Sequence, residues 1–332
     1  MSKKRLAGDD EVLIHSEPKK PKISTSENHP TEDSQQHLKN ESYTVGWICA
    51  ITTEYVAAQV FLDEKHDPPE SVYPHDDNDY TLGRIGKHNV VIAVLPNGEY
   101  GISSATGVAR DMLHSFPNIR IGLMAGIGGG APTFKHDIRL GDIVVSAPCD
   151  GKGGVFQYDF GKTIQDQSFQ PTGFLNQPPM VVRTAVNGLM AQYEIDGHQL
   201  DEAINGILAK KSRLRGKYGR PRPESDRLYQ STFKHPPNND KNCTVTCGND
   251  LSNVVQRDER AEGDDLTIHY GLIASGNQLM KDALLRDKLA EDNDILCFEM
   301  EASLPCEKWT CGCRMSQICS TQAKDPFFLH FF

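Results

Sequence analysis

Three carboxylates in this sequence stand just past apolar runs, and acids so placed can hold sugar hydroxyls, orient a water or take a proton. Glu54 follows "YTVGWICAI", while Glu299 and Glu301 straddle Met300 after Ile295, Leu296, Cys297 and Phe298. In an alternating strand Glu299 and Glu301 share a side and Met300 takes the other. Glycine-bearing turns are expected at comparable places: Asn97-Gly98-Glu99-Tyr100-Gly101, Gly126-Ile127-Gly128-Gly129-Gly130 and Ser275-Gly276-Asn277. Ligands of α/β folds sit beyond strand C-termini, where glycine lets a backbone come close and its N–H groups meet an anion or a hydroxyl. Singly, each turn is a generic connector, and none is a Walker loop or a dinucleotide fingerprint. An acid in the first turn of a helix is also favoured by the helix dipole alone, which is the plain reading of Glu54.

The elements that must position these residues follow from periodicity. "YTVGWICAI" is a continuous apolar run with β-branched residues, as in a strand buried on both faces. "TEYVAAQVFLDE" and "SSATGVARDMLHSF" have helical spacing, and "YTLGRIGKHNVVIAVL" reads as two strands joined by a Gly-Lys-His-Asn turn. "IRIGLMAGIGGG" reads as a strand running into a glycine turn, and "LGDIVVSA" as a further strand. From Pro148 to about Lys241 the pattern weakens: "PPMVVRTAVNGLMAQYEI" and "QLDEAINGILAKKS" read as helices among charged, Pro-rich loops that are longest over about 205–245. Order returns with the strand "LTIHYGLIASG", the helix "NQLMKDALLRDKLAED" and the strand "ILCFEM". Strands alternating with helices predict an α/β layered domain over 43–302.

Composition bounds the function. The chain has 332 residues, 38% hydrophobic, and a net charge of -10, which argues against a general nucleic-acid or membrane-surface binder. No run of about 20 apolar residues occurs and the N-terminus carries no hydrophobic segment, so the expectation is an intracellular protein, cytoplasmic or nuclear. Nine cysteines are scattered rather than framed as disulfides. Residues 1–42 have the composition of a disordered tail, within which Lys3-Lys4-Arg5 and Lys19-Lys20-Pro21-Lys22 have the form of a signal for a nuclear import receptor, or of a merely solvated tail. Residues 303–332 form a divergent tail. Its Cys306, Cys311, Cys313 and Cys319 lack the paired spacing of a zinc site, so no metal is expected, and Phe327, Phe328, Phe331 and Phe332 would be exposed or loosely packed.

Taken together and in order, "VGWICAITTEYVAA", "LPNGEYGISSATGVA", "GLMAGIGGG", "RLGDIVVS", "GLIASGNQL" and "CFEMEA" resemble the nucleoside phosphorylase and nucleosidase family. More narrowly, "YTVGWICAI", "IRLGDIVVS" and "FEMEA" resemble the N-terminal domain of multidomain fungal proteins similar to NLR immune receptors. The resemblance implies a three-layer αβα sandwich around a mixed sheet, and cleavage of the N-glycosidic bond of a nucleoside through an oxocarbenium-like transition state. It places Glu301 on the ribose hydroxyls, Met300 as an apolar floor beneath the sugar, and Glu54 as the base that orients and deprotonates water. Gly98, Gly101, Ser103 and Ser104 become the loop that meets water or phosphate. Gly128, Gly129, Ser275, Gly276, Asn277 and Leu279 fall on the base side, with Leu279 where hydrolases often carry an aromatic residue. Glu54 favours hydrolysis over phosphorolysis, with phosphate as the possible co-substrate and no other cofactor. A homo-oligomer is implied by resemblance only. After "FEMEA" the chain departs from the family: no Asp matches the general acid that protonates the leaving base, Asp325 lies in an unrelated context, and the sheet is expected to lack its last strand and covering helix. A catalytically impaired nucleoside-binding or signalling module is the competing expectation.

Overall fold

The structure, a computed structural model, describes residues 38–167, 169–175, 177–220, 225–234, 247, 250–260, 266–302 and 309–316. By backbone contacts the chain divides into Met1–Gln35 and Gln36–Phe332, and the first unit lies outside the described residues together with both basic clusters. The second unit is built on one mixed sheet. Its strands are β1 (Val45–Cys49), β2 (Glu64–Lys65), β3 (Tyr80–Ile85), β4 (His88–Val94), β5 (Ile121–Gly130), β6 (Ile143–Ser146), β7 (Val155–Lys162), β8 (Gln170–Phe174), β9 (Ile268–Ser275), β10 (Ile295–Glu299) and β11 (Trp309–Ser316). They lie in the order β2-β3-β4-β1-β5-β11-β6-β9-β7-β8, with β10 set against β5 and β9.

The alternation of side chains along β1 and β4 explains the layers. Val45, Cys49, Val90 and Ile92 pack on one face with Ala58 of helix α1 (Thr52–Val60). Ile48, Val91 and Ala93 pack on the other with Ala105, Val108, Ala109 and Met112 of α2 (Ile102–Ser115). Both faces of these strands are covered, which is why they read as continuous apolar runs. Helices α3 (Met180–Asp196), α4 (Leu200–Lys210) and the short α5 (Arg215–Tyr218) follow β8, and α6 (Ala283–Asn293) joins β9 to β10. Ala290 of α6 packs with Leu272, Ala274 and Ile295. Among the described residues no helix is long and apolar enough to cross a membrane.

Several expectations shift. The β3–β4 connection is the two-residue turn Gly86-Lys87, with Ile85 opposite His88. Gly126 to Gly130 are strand residues, because β5 runs on to Gly130 beside β10 and β11. The weakly patterned middle contains β7 and β8, and the expected helix from Asn277 begins only at Ala283, capped by the Asp282 side chain on Leu285 N–H. The sheet does not lack a strand in the divergent tail: β11 inserts between β5 and β6, parallel to the first and antiparallel to the second. The expected lack of a covering helix concerns residues outside the described ones, as do Cys306, Cys319, Asp325 and the terminal phenylalanines. The expected 43 boundary is preceded by an anchored turn, Asn40–Ser42, in which the Asn40 side chain donates to Ser71 and Ser115 carbonyls.

Candidate functional site

Strand ends create the site. Along one edge β5 pairs with β11 from Gly122 to Gly129. Its other edge is divided: β1 runs parallel to Ile121 through Met124, and β10 runs antiparallel to Gly129 and Gly130. The C-terminal ends of β1 and β10 therefore face each other along β5, with Ala125 to Gly128 as the stretch between their paired registers. Strand C-termini that meet at a change of direction are where open α/β sheets accept ligands.

Glu54 enters this gap from α1. Its Oε2 accepts from Ala50 N at 2.6 Å and Ile51 N at 3.2 Å, the helix-start role its position suggests, while Oε1 accepts from Ile127 N at 2.8 Å. A side chain on Gly126 would stand 2.6 Å from Glu54 Oε1, so only glycine lets the carboxylate lie against β5. Glu54 is 4% exposed. Burial pushes its pKa up to about 7 against the pull of its amide donors, and the charge of Glu301 adds to the rise. The carboxyl is thereby poised to change charge near neutrality, as a general base requires.

Glu301 arrives from the opposite side. The Glu299 carboxylate turns back, and its Oε2 accepts from Glu301 N and Ala302 N, each at 2.7 Å, which fixes the turn after β10. Glu301 Oε1 then accepts from Gly101 N at 3.2 Å, at the N-terminus of α2. The next amide, Ile102 N, donates to Asn277 Oδ1 at 3.2 Å. Two of the amides that the glycine loop was expected to offer an anion are thus already engaged by protein side chains.

The structure joins Gly101, Asn277 and Glu301 at the start of α2 through these contacts, Glu54 feels the charge of Glu301, and Met300 is half-buried next to Glu301 in the chain. Ser275 is buried at the end of β9 opposite Glu299, with Gly276 after it, and Gly128 and Gly129 are buried within β5. Gly98 and Ser103 are exposed, the Ser104 hydroxyl donates to Glu99 Oε2 at 2.7 Å, and Leu279 is 49% exposed. Sequence reasoning missed Asp159 and Gln157 of β7, whose side chains meet at 3.3 Å, and Tyr158, whose hydroxyl donates to Gln278 O at 2.5 Å. Their signal was the period-two alternation of Phe156, Tyr158 and Phe160 in "VFQYDFGK". Among the described residues no group of three or more His, Cys, Asp or Glu could hold a metal ion.

Away from the gap, Asp142 anchors the start of β6. It is fully buried and accepts from Arg260 Nη1 at 2.7 Å, His269 Nε2 at 3.0 Å, Arg139 N at 2.8 Å and Thr267 N at 3.1 Å. Burial alone would raise its pKa, but hydrogen bonds from Arg260 and His269 outweigh it and hold the carboxyl at about 2.

No protein-family model matches the sequence. Over 276 residues the chain is 44% identical to a nucleotide-binding leucine-rich repeat (NLR)-like protein of Hyaloscypha variabilis, a match covering 82% of this chain and 26% of that protein. The chain thus spans about a quarter of the length of that curated relative. Among solved structures it is similar to a 5'-methylthioadenosine/S-adenosyl homocysteine nucleosidase of Campylobacter jejuni, at 15% identity and a TM-score of 0.47, over 86% of this chain and 92% of the other. It is also similar to the futalosine hydrolase of Helicobacter pylori, at 13% identity and a TM-score of 0.44, over 85% of this chain and 88% of the other.

Proposed function

We propose that this chain cleaves the N-glycosidic bond of a nucleoside, a purine in the first instance, with water as nucleophile. The observation that carries the reading is the placing of two acids at facing strand ends beside β5: Glu54, buried against Ile127 N with a pKa of about 7 that the charge of Glu301 helps to raise, and Glu301, half-exposed at the N-terminus of α2. Glu301 accepts hydrogen bonds from the ribose hydroxyls and its charge favours the positive sugar of the transition state. Glu54, ionised, takes a proton from the water that attacks the anomeric carbon. The bond from that carbon to the base nitrogen breaks as the carbon–oxygen bond forms, and the departing base takes its proton from solvent.

Hydrolysis is favoured over phosphorolysis because amides at the start of α2 are committed to Glu301 and Asn277, and because Glu99 adds negative charge beside Ser104. The reaction so written needs no metal or organic cofactor. Similarity to an NLR-like protein favours a second reading, in which the same residues bind a nucleoside or its phosphates without turnover.

The test is free-base release by purified protein from adenosine, inosine, guanosine, uridine and their 5′-phosphates, with and without inorganic phosphate, alongside Glu301→Ala. Release without phosphate that falls at least a hundredfold in Glu301→Ala supports the proposal. Release only with phosphate overturns the role of Glu54, and saturable binding without release moves the assignment to the sensing module.

A further inference from the structure

Asp159 lies in the stretch of β7 that sequence reading left unassigned, yet it ties two sides of the gap together. Its Oδ2 accepts from Asn277 N at 2.7 Å and from Asn277 Nδ2 at 3.3 Å, while Gln157 Nε2 reaches Oδ1 at 3.3 Å. Asn277 passes the connection on, since its Oδ1 accepts from Ile102 N at 3.2 Å, one residue beyond the amide that holds Glu301. A continuous path therefore runs from β7 through the loop after β9 to the N-terminus of α2. That end of α2 is also where Glu301 is held.

The glycines at both ends of the path are required by it. A side chain on Gly276 would stand 2.7 Å from the Tyr158 ring and 3.2 Å from Asp159 Cγ, so only glycine lets the loop approach β7 closely enough for Asn277 N to reach Asp159. Gly101 has φ +92, and a side chain there would stand 3.0 Å from Asn277 Oδ1. The Tyr158 hydroxyl adds a second tie to the same loop through Gln278 O at 2.5 Å, and it packs edge-on against Phe298 of β10 at 5.5 Å between ring centroids. Strand β7 thus reaches both the loop and the strand that delivers Glu301.

We propose that Asp159 is a positioning residue of the site: acting through Asn277, it fixes the N-terminus of α2 and so the place of Glu301. The proposal rests on the nucleosidase reading for its catalytic consequence, but its structural content stands apart from that reading. Without the Asp159 acceptor, Asn277 is free to rotate, Ile102 N loses its side-chain partner, and the start of α2 can withdraw from Glu301. Asp159 acts through Asn277 rather than on Glu54, so its removal is expected to change the rate without changing the pH at which Glu54 titrates.

The experiment compares wild type, Asp159→Ala, Asn277→Ala and the double variant by two readouts. One is hydrogen–deuterium exchange of the peptide covering 98–104, and the other is kcat/KM for base release as a function of pH. Expected is faster exchange of that peptide in both single variants and a fall in kcat/KM of about tenfold or more in each. The double variant should be no worse than the worse single variant, and the pH at which the rate breaks should not move. Unchanged exchange in Asp159→Ala overturns the proposal whether or not the protein is active. Faster exchange with kcat/KM unchanged in an active wild type, or two losses that multiply in the double variant, overturns it as well. If wild type releases no base, the functional reading fails, and the exchange result alone upholds or overturns the tie from Asp159 to α2.

Discussion

At the scale of single residues, Glu54 carries a cost that pH should reveal. Its carboxyl titrates near 4.5 when unburied and at about 7 in the fold, so the folded chain holds that proton more tightly than the unfolded one. The stability this supplies is fully present below about 4.5 and is lost as pH rises through about 7, a change on the order of 3 kcal/mol. Glu54→Gln cannot ionise, so its stability relative to wild type should be higher at pH 8 than at pH 5, measured by urea unfolding at both values. Glu299 makes the opposite kind of contribution, as the acceptor for the Glu301 and Ala302 amides in the turn after β10. Glu299→Ala is expected to lower kcat/KM tenfold or more through a displaced Glu301, whereas Glu299→Gln keeps an acceptor oxygen and should lose less. The two acids were legible as a pair because they bracket Met300 after an apolar run. Their different tasks were not, since alternation says which side a residue takes and nothing of the amides it will meet.

At the scale of elements, the glycines of β5 show how a sequence signal can point to the right place for the wrong reason. Gly126 to Gly130 were expected to form a turn because glycine punctuates chains, and they form strand because Glu54 and β10 both need the backbone close. Gly126→Ala should therefore keep the strand but push Glu54 off Ile127, lowering kcat/KM at least tenfold while costing about 1–3 kcal/mol of stability. Strand β7 was missed because its alternation lies among turns and charged loops, and Asp159 was missed with it. The anchor at Asp142 is a further element-scale device, joining Arg260, His269 and Thr267 to the start of β6. With its pKa held at about 2, against an ordinary 3.8, it stabilises the fold above 3.8 and loses that contribution as pH falls through about 2. Asp142→Ala takes the fully buried acid away from the part-buried Arg260 and His269 and should cost about 3 kcal/mol in a thermal or denaturant melt.

At the scale of the whole molecule, opposed strand directions make the site possible. A fully parallel sheet would carry strand ends to one rim, whereas here β1 and β10 end toward each other beside β5. The α/β class and its layers were readable from the buried runs of β1 and β4, but the insertion of β11 was not, because its sequence "WTCGCRMS" lacks a run of large apolar residues. Its place is set by backbone pairing to β5 and β6, a long-range match that local pattern does not encode. A chain ended after Ala302 would leave both strands short of a partner and should lose its cooperative melt, followed by circular dichroism against temperature.

The role proposed for Glu54 as the base of a hydrolytic site is tested by the pH dependence of kcat/KM for base release from pH 5 to 9 in phosphate-free buffer, for wild type and Glu54→Gln. Expected is a wild-type rate that falls tenfold per unit below a break at about 7, and a Glu54→Gln rate that is at least a hundredfold lower and has lost that break. A wild-type break kept unchanged in Glu54→Gln, or a variant as fast as wild type at every pH, would contradict it.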